Sequence, residues 1–107
     1  MKNTLKNLSE TVARANDVFY GKYSNIDTIM GIMDKTLRNQ GMKADAVTID
    51  CLNANKKIIL LIHDDTPDKV KVALGNKDGE VYSSSDYELS DLSEAIVVGI
   101  MEMSFVL

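Results

Sequence analysis

The residues best equipped for chemistry are His63, Asp64 and Asp65, which follow one another at the end of the chain's most apolar run. An imidazole beside carboxylates can ligate a divalent ion or act as an acid–base pair. Asp50 and Asp68 would join as ligands if folding brought them near. Against this, neighbours on a strand point to opposite faces, and Asp-Asp-Thr-Pro-Asp is also the composition of an ordinary turn. Two readings of His63, Asp64 and Asp65 therefore stand side by side: a small metal-binding or hydrolytic centre, and a turn.

Other chemistry is sparser. Cys51 is the only cysteine and falls on the apolar side of an alternating segment, as a small buried hydrophobe does. A hairpin turning near Ala54 sets Cys51 opposite a residue near Lys57, far from His63, so a thiol–imidazole dyad is discounted. Ser83-Ser84-Ser85 has no basic partner nearby and reads as a polar connector. The glycines at 75 and 79 flank a hairpin loop and do not open a helix, so no phosphate-cradling loop is present. No cofactor is expected.

The elements that would carry these residues centre on Lys57–Ile62, a β-branched run bounded by Asn53-Ala54-Asn55 and by Asp64–Pro67. It reads as a strand covered on both faces. Before it, Val47, Ile49 and Cys51 alternate with Thr48 and Asp50. After it, Val70, Val72 and Leu74 alternate with Lys69, Lys71 and Ala73. Both are strands by period. Asp78-Gly79 marks a hairpin into a short fourth strand at Glu80–Ser83.

Three helices are expected around the strands. Leu5, Leu8, Val12, Ala15 and Phe19 form one apolar stripe, predicting a helix from about Asn3 to Tyr20 that stops at Gly21. Ile26, Ile29, Met30, Met33 and Leu37 predict a second, capped by Ser24 and ended at Gly41. Ser90 would cap a third, which is apolar almost all round. Leu92, Ile96, Ile100, Met103 and Leu107 would face the sheet, with Val97, Val98, Met101 and Phe105 left outside.

The chain of 107 residues is thus read as a single α+β domain over 1–107, ordered α-α-β-β-β-β-α, with an antiparallel meander of three to four strands. Net charge is −4 and uneven: seven basic and four acidic residues in 1–43, five and twelve in 44–107. The acidic half argues against nucleic acid. No stretch reaches the length of a membrane span. The polar start of the chain and the lone cysteine suggest the cytoplasm.

These readings converge on a non-catalytic protein-interaction module. It is expected to form a homodimer, or another homo-oligomer, through the apolar C-terminal helix, and to bind another protein besides. The interface set is Val97, Val98, Ile100, Met101 and Phe105, because an exposed apolar patch of that size marks a contact surface. The alternatives are the His63, Asp64 and Asp65 centre and a small-ligand sensor. The tyrosines at 20, 23, 82 and 87 read as packing side chains with wet hydroxyls.

Overall fold

A computed structural model describes residues 3–106. Its first helix, α1 (Asn3–Lys22), follows the expected stripe: Leu5, Leu8, Val12, Ala15 and Phe19 are all buried. A strand, β1 (Thr28–Met33), comes next, then a single helical turn, α2 (Thr36–Asn39). Four strands complete the sheet: β2 (Ala44–Cys51), β3 (Lys56–His63), β4 (Lys69–Gly75) and β5 (Val81–Glu88). A 3-10 turn (Leu89–Asp91) leads into α3 (Glu94–Met101), which continues as a π-helical turn over Glu102–Val106.

The fold is α+β, with one open antiparallel sheet in the order β1-β2-β3-β4-β5. The meander has five strands where three to four are expected, because β1 pairs where a helix is expected, while the expected fourth strand forms and runs on past Ser83. The stretch expected to form the second helix is mostly β1. Its apolar residues satisfy a helical spacing, but Thr28, Ile29 and Ile32 are β-branched and stiff, and Gly31 weakens a helix. As a strand it pairs along all six residues with β2, from Thr28 opposite Cys51 to Met33 opposite Ala46. A β-carbon at Gly31 would lie 2.8 Å from the Thr48 hydroxyl, so a larger residue there would force Thr48 to move.

The other correction is β5. Ser83-Ser84-Ser85 does not form a connector but pairs with Leu74, Ala73 and Val72. The register shifts between Leu74 and Gly75, and Tyr82 is the extra residue of the bulge. The β4–β5 loop forms as its sequence suggests: Gly79 takes φ +97°, and Asn76 Oδ1 accepts from the Asp78 and Glu80 amides at 2.9 and 3.0 Å.

Cross-strand partners share a face, which sorts the sheet into two sides. Val47, Ile49 and Cys51 of β2, Ile58, Leu60 and Ile62 of β3, and Val70 and Val72 of β4 form the inner face. They pack with α1, α3 and the π turn into one core cluster. β3 is therefore covered by helix on one face only, and Ile59 and Leu61 on its outer side stay half-buried.

The expected facing of the C-terminal segment holds for Leu92 and Ile100, which are buried, and is overturned at the other described positions. Val97, Val98, Ile100, Met101 and Phe105 are buried, while Ile96 and Met103 are 42% and 62% exposed. Leu107 lies outside the described residues. Burial of these five in the core sets the orientation, and two ion pairs between the helices, Arg14–Glu94 and Lys22–Glu102, accompany it at the rim. Both sets of charges are spaced by two helical turns, so α1 and α3 lie side by side and parallel, with Val98 between their charges. That roll leaves Val97, Met101 and Phe105 directed to the core, where Phe105 meets Phe19 edge-on at 6.1 Å. The helix also starts later than expected, capped by Ser93, whose hydroxyl accepts from the Ile96 amide at 3.2 Å.

Candidate interaction surface

The apolar C-terminal residues lose the premise of the interface reading, since burial within the chain accounts for them. The large apolar side chains that α3 and the π turn offer to solvent are Ile96, Met103 and Val106. A groove of about 420 Å³ runs between α1 and α3, lined by Val18, Ala95 and Val98 and closed at its ends by the two ion pairs.

The His63, Asp64 and Asp65 cluster is dispersed by the backbone. His63 stands on the outer side of β3 opposite Ala44, and Asp65 is exposed in the turn that follows. Asp64 is engaged by Arg38 of α2. The Arg38 guanidinium donates to both oxygens of Asp64 at 2.8 Å and to both oxygens of Asp45 at 2.8 and 2.9 Å. Asp45 is 5% exposed, at the start of β2. A planar guanidinium suits such a double fork, whereas a lysine would not. Asp64 and then Asp45, by hydrogen bonding, hold the Arg38 proton more firmly than in a free guanidinium. Among the described residues, no group of three or more His, Cys, Asp and Glu side chains is arranged to hold a metal ion. Cys51 is buried at the opposite end of the β2–β3 ladder from His63.

A second polar cluster, also invisible in the sequence, closes the helix layer. Glu102 accepts hydrogen bonds from the Tyr23 hydroxyl and from Lys22 Nζ, the latter at 2.9 Å. The Tyr23 and Lys22 hydrogen bonds hold the Glu102 carboxyl below its ordinary range. In turn, bonding to Glu102 raises both Lys22 and Tyr23. These contacts lie at the surface, at one end of the groove between α1 and α3.

The remaining unusual feature is the outer rim of the sheet at β1. Its sequence, Thr-Ile-Met-Gly-Ile-Met, contains no charge, and among the described residues no strand lies beyond it. Ile29 is 53% exposed on the outer face and Ile32 is 41% exposed on the inner one. Leu52 stands beside Ile29 and is also exposed. One residue outside the strand, the Leu52 amide donates to the Asp27 carbonyl at 2.8 Å in the same register. Antiparallel pairs alternate between bonded and non-bonded. Ile29, Gly31 and Met33 therefore turn their backbone groups toward β2. Thr28, Met30 and Ile32 turn theirs outward, into the open.

The other rim is unlike it. β5 carries Asp86 and Glu88 and a run of serines, with a bulge at its start. Charges and bulges are how sheets blunt an edge against pairing with other chains. β1 has neither.

No helix among the described residues is long and apolar enough to cross a membrane. Comparison with family models, with curated proteins and with solved structures finds no match, so no relative supplies a function.

Proposed function

We propose that the chain is a non-catalytic protein-interaction module of the cytoplasm that binds polypeptide by extending its sheet at β1. The observation that carries this reading is an uncharged edge strand with Ile29 and Ile32 exposed on either face and an outward row of backbone donors and acceptors. Strand addition draws affinity from main-chain bonds and selectivity from the alternating side chains. Here those side chains are apolar, so the favoured strand is apolar as well. The unpaired, buried thiol of Cys51 supports a reducing compartment.

Site-resolved amide exchange tests the reading. In dilute purified protein the Thr28, Met30 and Ile32 amides exchange quickly. In concentrated native lysate, or in the presence of the bound partner, the same amides slow while those of β5 do not. Equal, fast exchange at β1 in every condition would rule the reading out.

A further inference from the structure

We infer that the strand added at β1 is β1 of a second copy of this chain, laid antiparallel across a two-fold axis at Gly31. The inference rests on the interaction reading above and names its occupant. In such a joint the helix-covered faces of both sheets lie on the same side only if even-numbered residues meet even-numbered ones. That leaves a small set of registers, which the sequence of β1 and its flanks discriminates.

Centred on Gly31, Ile29 of one copy meets Met33 of the other, Met30 meets Ile32, and Gly31 meets Gly31. The outward-facing residues Met30 and Ile32 are then partners and exchange backbone hydrogen bonds, twice over by symmetry. Gly31 falls on a non-bonded pair, where two chains come closest and side chains crowd most. Just outside the strand, past Thr28 opposite Asp34, the same register sets Asp27 of each copy opposite Lys35 of the other. Both are exposed, so the joint is bracketed by two opposite-charge contacts. The register centred on Met30 sets Asp27 against Met33 and Lys35 against Asn25, leaving both charges unmatched. The register centred on Ile32 presses Lys35 against Ile29 and Asp34 against Met30. Of these three registers the one at Gly31 alone adds an opposite-charge pair to the apolar and backbone match, and the product is a continuous sheet of ten strands. The isologous contact is closed, so it stops at two copies.

Sedimentation of the full chain across a wide concentration range is the first arm. The expected result is a reversible dimer of twice the 11.8 kDa chain mass. Ile32→Lys, at an exposed position that leaves the fold intact by circular dichroism, should weaken it by more than about tenfold. A wild-type chain that stays monomeric at millimolar concentration overturns the inference, as does a dimer indifferent to Ile32→Lys. Slowed β1 amides in lysate beside a monomeric purified chain would reject the second copy yet keep the interaction reading. Fast amides there as well would reject both.

The second arm fixes the register and needs no loss of folding. In the double variant Ile29→Cys/Met33→Cys, the introduced thiols within one chain are about 13 Å apart at roughly 3.3 Å per residue. A disulfide cannot span that distance. Mild oxidation should therefore yield a covalent dimer linked twice, whereas Ile29→Cys alone should not cross-link. Cross-linking by the single variant, or none by the double, overturns the register.

Discussion

Arg38 holds three pieces of chain with one planar group: the turn between β1 and β2 that carries it, the start of β2 at Asp45, and the end of β3 at Asp64. The two carboxylates differ in what they lose without it. Asp45 is nearly inaccessible, while the Asp64 side chain is 28% exposed and can turn to water. Arg38→Met should therefore cost about 1–3 kcal/mol, the penalty of a buried charged acceptor left unmatched. Asp64→Asn should cost well under half as much. Urea unfolding of both variants checks the order, and equal losses would count against it. None of this was legible beforehand. Arg38 lies within the stretch expected to form the second helix, and its pairing with residues 7 and 26 positions away depends on a strand register that no local pattern encodes. His63, Asp64 and Asp65 stand out by type alone, and the end of β3 separates them: His63 closes the strand on its outer side, Asp64 is held by Arg38 and Asp65 lies in the exposed turn.

At the level of elements, the alternating strands and the α1 stripe are readable because each has one apolar face and one polar face. β1 and α3 are not, because their residues are apolar on every side and fit two periods or two facings. What decides between them is non-local. For β1 it is the unfilled flank of β2. For α3 it is the apolar surface that α1 and the inner face of the sheet leave to be covered, with Glu94 and Glu102 meeting Arg14 and Lys22 at its rim. Two measurements follow. Met101→Ala, at a fully buried side chain, should destabilise by about 2–5 kcal/mol, whereas Ile96→Ala should stay within about 0.5 kcal/mol. The Glu102 network also sets a pH window. Glu102 titrates below its ordinary value, so its contribution is present above the usual carboxylate range and fades as pH falls through the lowered value. Lys22 and Tyr23 titrate above theirs, so their share is present at neutral pH and is lost as alkali removes those protons. The melting temperatures of wild type and Glu102→Gln should therefore differ most near neutrality and converge at both extremes. A constant gap across pH would contradict the assignment.

Across the whole molecule, the strands are joined neighbour to neighbour, while the helix layer is built from the two distant parts of the chain. Tyr23 and Lys22 meet Glu102, and Arg14 meets Glu94, across 79 or 80 positions. The sheet should not stand without both helices, since its inner face would lose the cover of Leu5, Leu8, Val12 and Phe19 at once. A fragment lacking residues 3–22 is expected to show no dispersed amide spectrum, and a native-like spectrum would mean that α3 alone suffices. The same arrangement gives Cys51 an unexpected use. It is the chain's sole thiol, sits 1% exposed on β2, and belongs to the cluster that contains Phe19. A bulky thiol reagent can reach it only while that cluster is parted. Its rate of modification under native conditions thus counts openings of the molecule one at a time, a built-in reporter of how often the two ends of the chain let go of each other.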